Sequence, residues 1–234
     1  MDNTETMYDR ALPLFGEAGM TKLRSSRVIL FGAGGVGGSC AEALVRGGIG
    51  SLTIVDGDVY TPSNLNRQRF ATSRTLGKNK AEPAAGELSL ISPAAELIAV
   101  PEYYKPGHTL DLSACDYIVD AIDDLPAKLA LILAAQRAGV RIVCACGAGN
   151  KLDPTRLRIS DIYSTSVCPL ARALRKACRD NNVPALRVVW SDEPPVLSSP
   201  VPASSSFVPP AMGLTLAAEV IRTLAFPGNL KPFL

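Results

Sequence analysis

Short runs of apolar residues alternate along the chain with stretches in which apolar residues recur at helical spacing. Val28–Phe31 is continuously apolar and ends directly in glycines, which is typical of a strand buried on both faces. Helical spacing follows over 39–46, and the next apolar run, 51–55, ends at Asp56. This order of strand, glycine turn, helix and strand within about 30 residues predicts a βαβ unit.

The same alternation continues to the end of the chain. Strands alternating with helices predict an α/β fold with a doubly wound, mostly parallel, Rossmann-like sheet. The further predicted strands are 96–100, 117–119, 141–146, 157–159 and 187–190, and the further helices are 78–90, 126–138, 169–181 and 211–224.

The length of 234 residues favours one domain, which we divide into three parts. They are an arm of N-terminal helices at 1–26, a central core at 27–147, and a region at 148–234. This last region contains a crossover, a loop and a closing helix, and we expect it to form a small C-terminal cap. The positions predicted to be buried in the arm are Met7, Leu12, Leu14, Phe15 and Leu23.

Composition excludes several classes of protein. A hydrophobic share of 47% is enough for a full core, which excludes a disordered or fibrous chain. The net charge is only +2, so no overall excess indicates nucleic acid or a membrane. The first ten residues lack an apolar segment, and the uncharged run 195–218 contains five prolines and is predicted to be a loop. Neither a secretory signal nor a membrane span is therefore expected. Six cysteines without a CxxC pair indicate reduced thiols in a cytoplasmic protein and disfavour a zinc ribbon.

The glycines after the first strand match the pattern G-x-G-x-x-G. Gly32 allows the tight turn, Gly34 and the adjacent Gly35 let the backbone approach a phosphate, and Gly37 lets the helix pack on the strand. Asp56 follows about 20 residues later, the usual offset of an acid that binds ribose hydroxyls. A tight turn without a ligand is the alternative, but the combined pattern predicts a nucleotide site.

Basic residues in the next segments favour phosphate chemistry over hydride transfer. The fingerprint alone favours a nicotinamide cofactor, and an oxidoreductase stays open on that ground. The runs 63–68 and 77–82 add Arg67 and Lys80, however, and positioned cations stabilise charge that develops on phosphate oxygens. We interpret Lys78 as an ordinary solvated charge.

With these motifs in this order, the sequence resembles the ubiquitin-activating-like (HesA/MoeB/ThiF) adenylating superfamily over nearly its whole length. The resemblance implies ATP as cofactor, Mg²⁺, and activation of a carboxylate as an acyl-adenylate. Asp56 would hold the ribose of ATP, and Asp123, in the run 120–123, would lie by Mg²⁺ and the α-phosphate as the metal ligand. The positions that the resemblance assigns to ATP beyond the glycine loop are Asp56, Asp58, Asn64, Arg67, Lys80 and Asp123.

Two of the residues assigned a catalytic role beside Arg67 and Lys80 have structural alternatives. Asp123 could instead be the N-cap of the helix that begins near Pro126, a role that Asp124 could fill equally well. Arg10 matches the arginine that superfamily members insert into the partner subunit's ATP site, which implies a homodimer. The alternative is a plain surface arginine.

Within the superfamily, several segments are similar to the tRNA threonylcarbamoyladenosine dehydratases. That branch implies ATP-dependent cyclisation of the modified nucleoside in tRNA, and a sulfur-transfer protein as a further partner. Ubiquitin-type activators instead use a nucleophilic cysteine, for which Cys168 is the candidate here. Packing is the more common role of a lone cysteine, and we place Cys144 and Cys146 in the core. The segments similar to the dehydratase branch are 151–155, 161–162, 169–171, 174–175 and 191–195, with Gly213.

A basic segment offers an independent indication of RNA. Residues 151–187 contain eight bases and three acids, so their charge is 8 − 3 = +5 in a chain whose total is +2. On a helix, four of these bases share one face, which could follow a phosphate backbone or could be simply solvated. The predicted tRNA contacts are Arg172, Arg175, Lys176 and Arg179. The hypothesis is a tRNA threonylcarbamoyladenosine dehydratase, and an activating enzyme for a ubiquitin-like or sulfur-carrier protein is the alternative.

Overall fold

One seven-stranded sheet runs through the computed structural model, which describes residues 5–197, 199 and 201–228. The strand order is β3-β2-β1-β4-β5-β7-β6, and only β6 runs antiparallel to its neighbour. The strands are β1 Arg27–Phe31, β2 Ser51–Val55, β3 Glu96–Val100, β4 Tyr117–Asp120, β5 Arg141–Ala145, β6 Leu157–Asp161 and β7 Arg187–Ser191. The helices are α1 Leu12–Ser25, α2 Gly37–Arg46, α3 Ala81–Ile91, α4 Leu125–Ala138, α5 Pro169–Asp180 and α6 Val208–Ala225.

Both faces of the central strands are covered. Val28 and Leu30 belong to a cluster with α1, α2, α3 and α6, whereas Ile29 and Phe31 pack with α4 on the other face. Successive side chains of a strand point to opposite faces, so two covered faces require the continuous apolar run seen in β1. The predicted doubly wound α/β sheet is confirmed.

Two details of the predicted elements are wrong. In the arm, Met7 and Leu14 are 46% and 74% exposed, and Met20 is buried instead, because the helix begins only at Leu12 and Gly16 interrupts it with a φ of 68°. Residues 1–4 of the predicted arm lie outside the described residues.

The proline-rich run is the second correction. The loop predicted for the run 195–218 overlapped the predicted helix 211–224, and in the structure it ends at Phe207, because Pro209 and Pro210 lie in the first turn of α6, where a missing N–H costs no helical hydrogen bond. Among the described residues, no helix is both long and apolar enough to cross a membrane. All six cysteines are free. The division of the domain at residues 26 and 147 stays a prediction.

Candidate functional site

The predicted site lies where the order of the sheet reverses. From β1 the chain proceeds to β2 and β3 on one side, and from β4 to β5 and β7 on the other. In open parallel sheets, ligands bind in the crevice outside the carboxyl ends of the strands at such a switch point. The glycine loop, residues 32–37, follows β1 there, and residues 121–124 follow β4.

The glycine loop is packed too closely for side chains at two of its positions. Gly32 has a φ of 89°, and a Cβ on it would lie 2.7 Å from the carbonyl oxygen of Ala121. A Cβ on Gly37 would lie 1.7 Å from the oxygen of Gly32. Real Cβ atoms do not approach so closely, so the turn after β1 and the start of α2 both require glycine.

Gly34 and Gly35 lie next to two polar side chains. A Cβ on Gly35 would lie 3.2 Å from Cγ of Arg67, and one on Gly34 would lie 3.7 Å from Nε2 of Gln68. Arg67 is half-buried, and its guanidinium donates to the carbonyl of Ser63 at 3.0 Å. The structure therefore brings the predicted Arg67 together with the glycine loop.

Asp56 accepts a hydrogen bond from the glycine loop. Its Oδ2 accepts the N–H of Ala33 at 2.6 Å, and its Oδ1 accepts the N–H of Asp58 at 2.8 Å. Burial raises the pKa of Asp56 above its usual range, and these two donors counteract that rise. Each carboxylate oxygen keeps a lone pair, so ribose binding by Asp56 stays a prediction.

Lys80 is held by a partner that was predicted to bind ATP itself. The Lys80 ammonium, almost fully buried, lies 2.9 Å from Oδ2 of Asp58. The hydroxyl of Tyr103 donates to the other oxygen at 2.5 Å. Burial alone would raise the pKa of Asp58, but the bonds from Tyr103 and Lys80 lower it below its usual range. Asp58 therefore positions Lys80, and since each of its oxygens keeps a lone pair, direct binding of ATP by Asp58 stays a prediction. Sequence analysis missed Tyr103, which follows the end of β3.

Asn64 is also committed to local structure. Its Oδ1 accepts the N–H of Thr61 at 3.0 Å, which closes the single 3₁₀ turn Pro62–Asn64. This turn precedes Arg67 and sets its direction toward the glycine loop. Phosphate binding by the remaining amide group of Asn64 stays a prediction.

The two neighbouring aspartates after β4 have different roles. Oδ1 of Asp124 accepts the N–H of Ala127 at 2.8 Å and caps α4, so the alternative role of Asp123 as the cap is wrong. Asp123 is exposed, and its carboxylate has no hydrogen-bond or ion-pair partner among the described residues. It is thus a free anionic group at the switch point.

A buried ion pair that sequence analysis missed lies beneath Asp123. The Lys128 ammonium is 2.9 Å from Oδ2 of Asp120, and both side chains are fully buried. Lys128 also donates to the carbonyl of Ile122 at 2.9 Å, while Oδ1 of Asp120 accepts the N–H of Ile122 at 3.0 Å. Burial would lower the pKa of Lys128, but the Asp120 carboxylate raises it above its usual range. The pair fixes the backbone that carries Asp123.

Arg10 is remote from the other predicted site residues of its own chain. It lies exposed in the turn before α1, two residues after Tyr8. The Tyr8 ring packs at Gly48, at the end of α2 that is opposite the glycine loop. With about 1.5 Å per residue, the ten residues of α2 separate these ends by about 15 Å. The structure does not bring Arg10 to its own site.

The basic face of α5 exists, but most of its charges have partners. Arg175 donates to the carbonyl of Thr165 at 2.7 Å, Lys176 pairs with Asp180 at 2.8 Å, and Arg179 lies over the ring of Tyr163. Within the described chain, Arg172 is the member of the face without a hydrogen-bond, ion-pair or ring partner. Contact of this face with tRNA stays a prediction.

The charge counted for 151–187 is also reduced by acids from outside that window. Arg156 and Arg158 both pair with Asp192, at 2.7 and 3.1 Å. Arg187 pairs with Glu219 at 2.6 Å. The net charge of this region in the folded protein is therefore less positive than the +5 counted for residues 151–187.

The candidate nucleophile Cys168 lies in an apolar environment. It precedes α5 as its N-cap residue, but only 2% of it is exposed, in a cluster that includes Cys146 and Trp190. Burial raises the pKa of the neighbouring Cys146 to about 12 and that of Cys144 well above its usual range. Cys144 and Cys146 are core residues, as predicted.

Comparisons with known proteins agree with this geometry. The model of the ThiF family matches residues 8–233. The chain is 31% identical over 230 residues to the tRNA threonylcarbamoyladenosine dehydratase of Bacillus subtilis, covering 89% of this chain and 91% of that protein. It is 34% identical over 181 residues to the dehydratase of Haemophilus influenzae, covering 76% and 69%.

A solved structure extends the similarity to three dimensions. The Escherichia coli tRNA N6-threonylcarbamoyladenosine dehydratase in complex with ATP superposes with a TM-score of 0.86 at 29% identity, over 96% of each chain. The chain therefore belongs to the ThiF family, and within it is similar to the tRNA threonylcarbamoyladenosine dehydratases.

Proposed function

We propose that this protein is an ATP-dependent dehydratase that cyclises threonylcarbamoyladenosine in tRNA, through activation of the carboxylate of that nucleoside as an adenylate. The observation that carries the proposal is the constellation at the switch point. Arg67 packs on Gly35 of the glycine loop, and Asp56, which lies near Lys80, accepts the N–H of Ala33 in that loop. The exposed Asp123 follows β4, next to the strand that leads into the loop. Relatives that match this chain are named for their action on this nucleoside.

The residues present fit ATP. A side chain on Gly35 would press against Arg67, so glycine at this position lets Arg67 lie close to the loop backbone, whose N–H groups can bind a phosphate. Arg67 and Lys80 would supply positive charge to the phosphates. Asp56 lies at the end of β2, where the ribose would bind.

Asp123 fits the Mg²⁺ that adenylating enzymes use. Carboxylate oxygen is a preferred ligand of this ion, and Mg²⁺ bound through one or two carboxylates commonly completes its shell with phosphates and water. When bound, the ion would neutralise charge on the phosphates. Among the described residues, no group of three or more His, Cys, Asp or Glu side chains could hold a metal by itself, so phosphate and water oxygens would supply the other ligands.

In this reaction the protein mainly positions the two substrates and stabilises negative charge on the phosphates. The nucleoside carboxylate attacks the α-phosphorus, and pyrophosphate leaves. A nucleophilic atom within the same nucleoside then attacks the acyl carbon, AMP leaves with the carboxylate oxygen, and the net change is the loss of one water. Arg67 and Lys80 would stabilise the negative charge that develops on the phosphate oxygens. Since the nucleophile is internal, no enzyme thiol is needed, which agrees with the burial of Cys168.

We further propose a cytoplasmic homodimer in which Arg10 completes the site of the partner subunit. The distance of Arg10 from its own glycine loop supports a role across the dimer. A sulfur-transfer protein as an additional partner stays a prediction from the resemblance.

The proposed activity is tested directly with tRNA that carries threonylcarbamoyladenosine. Purified protein is incubated with this tRNA and Mg²⁺-ATP, the tRNA is digested, and the modified nucleoside is weighed. The proposal requires the loss of one water that depends on ATP. An unchanged nucleoside, with ATP shown to bind, would instead favour activation of a carrier protein.

Mixing two inactive variants tests the dimer. We expect Arg10→Ala and Lys80→Ala each to lose most turnover, and the mixture to regain about a quarter of wild-type activity, since half of the subunits pair as heterodimers with one intact site. The measurement is turnover after subunit exchange. Absence of recovery, with heterodimers demonstrated, would contradict a role of Arg10 across the dimer.

Replacement of Cys168 distinguishes the tRNA dehydratase from an activating enzyme that uses a cysteine nucleophile. We expect Cys168→Ser to retain turnover within about threefold, because the thiol is buried and the proposed nucleophile belongs to the substrate. Initial rates with modified tRNA provide the measurement, and Cys146→Ser serves as a control for the polar substitution of a buried thiol. Abolished turnover in a folded Cys168→Ser variant, with Cys146→Ser active, would favour the thiol-dependent alternative.

A further inference from the structure

A stretch without acidic residues borders the site. Residues 59–80 contain no Asp or Glu, whereas the whole chain has 22 acids against 24 bases. Within this stretch we define the basic loop as residues 66–80, between the 3₁₀ turn and α3. Its bases are Arg67, Arg69, Arg74, Lys78 and Lys80.

The structure accounts for three of these five bases. Arg67 covers the glycine loop, Arg69 pairs with Glu42 at 2.6 Å, and Lys80 pairs with Asp58. Arg74 and Lys78 are exposed, and neither side chain has a hydrogen-bond or ion-pair partner in the described part of the chain. Two positive charges of the basic loop are therefore unused by the fold and by the proposed chemistry.

The basic loop is held in one conformation although it contains no regular helix or strand. Phe70 is 2% exposed and anchors it in the main core, and Leu76 packs against the same cluster. The Thr75 hydroxyl donates to the carbonyl of Phe70 at 2.9 Å and accepts the N–H of Thr72 at 2.8 Å. Arg74 thus lies in a hydrogen-bonded turn, and little backbone entropy would be lost when it binds a ligand.

Both ends of the basic loop are attached to the nucleotide site. At one end Arg67 lies over Gly35, and at the other Nδ2 of Asn79 donates to the carbonyl of Asp56 at 2.9 Å. Lys78 immediately precedes Asn79. The basic loop therefore borders the nucleotide site at both of its ends.

We propose that Arg74 and Lys78 bind the phosphate backbone of tRNA next to the nucleotide that reacts. This inference rests on the proposed function and adds a surface to it. Phosphate contacts by Arg and Lys supply most of the sequence-independent affinity for nucleic acid. Unpaired exposed bases suit this role, because no internal ion pair has to be broken. On α5, by contrast, Arg175, Lys176 and Arg179 already have partners.

The test is the double variant Arg74→Gln/Lys78→Gln, with Arg24→Gln/Arg27→Gln as the matched control. Arg24 and Arg27 are also exposed bases, but they lie by the amino end of β1, at the opposite edge of the sheet. Binding of unmodified tRNA is measured over a series of salt concentrations. We expect about tenfold weaker binding at low salt for the first variant, and a slope of log K against log salt that is shallower by about 1.4.

Steady-state rates distinguish binding of RNA from damage to the ATP site. The Arg74→Gln/Lys78→Gln variant should have a higher KM for tRNA, with kcat and the KM for ATP unchanged. The variant Arg74→Lys/Lys78→Arg keeps both charges and should bind tRNA as the wild type does.

The possible results separate this inference from the proposed function. A salt slope of Arg74→Gln/Lys78→Gln that equals that of the wild type, or a control variant that is equally weakened, would overturn the inference. Wild-type protein that binds tRNA without dehydrating it would refute the proposed activity alone, and the comparison of slopes would still decide the role of the basic loop. Wild-type protein that binds neither unmodified tRNA nor tRNA with threonylcarbamoyladenosine would overturn both.

Discussion

Replacing Asp123 with Asn is expected to lower turnover by about 100- to 1,000-fold while leaving the thermal midpoint unchanged. The large kinetic effect follows because the substitution removes the charge proposed to hold Mg²⁺ and to act at the phosphates, and loss of one such group commonly costs this factor. Stability is expected to be unaffected because Asp123 is exposed and its carboxylate bonds to nothing in the described chain. The measurements are initial rates with modified tRNA and thermal unfolding.

The adjacent aspartate provides a matched control for Asp123. Asp124→Asn changes the same charge one residue away, and Asn caps a helix about as well as Asp does. We therefore expect Asp124→Asn to retain both turnover and stability. Equal losses of turnover in the two variants would mean that local charge, and not a specific contact of Asp123, supports the reaction.

Replacing Lys128 with Met is expected to lower the free energy of unfolding by about 3–5 kcal/mol, because it leaves the Asp120 carboxylate buried without its cation. Turnover should also fall, since the ammonium holds the carbonyl of Ile122 and with it the segment that carries Asp123. Denaturant unfolding and initial rates below the unfolding transition provide the two measurements.

A second substitution in this ion pair shows how much of the lost stability is due to the unpaired charge of Asp120. Asp120→Asn keeps the oxygen that accepts the N–H of Ile122 but removes the negative charge. The double variant Asp120→Asn/Lys128→Met should therefore be more stable than Lys128→Met alone, because no unpaired charge stays in the core. A loss below about 1 kcal/mol in Lys128→Met would contradict the role of this ion pair.

The order of elements and the glycine loop could be predicted because their causes are local in sequence. A strand covered on both faces must be continuously apolar, as Val28–Phe31 is. A turn that packs against another backbone must contain glycine, as at Gly32 and Gly37. These requirements act within a few residues, so the sequence displays them directly.

The charges could not be assigned in the same way, since an ion pair depends on distance in space. The count over 151–187 omitted Asp192 and Glu219, two acids that pair with three of its eight bases and neutralise two of its positive charges. The sequence also gave no indication that the side chains of Lys128 and Asp120 pair in the core. A window of sequence therefore overestimates the charge that a folded surface presents to RNA.

The residue pattern by itself determined the doubly wound α/β sheet and the position of the glycine loop, because periodicity and glycine requirements are properties of short segments, whereas Asp58, Asn64 and Asp123 were predicted from the family resemblance. The tertiary structure alone decided which polar groups near that loop have partners within the fold. It made Asp124 the helix cap and left Asp123 free, and it made Asp58 the partner of Lys80. These assignments depend on which donor lies within hydrogen-bond distance of which acceptor, and only the packing of β2, β4 and their following loops sets those distances.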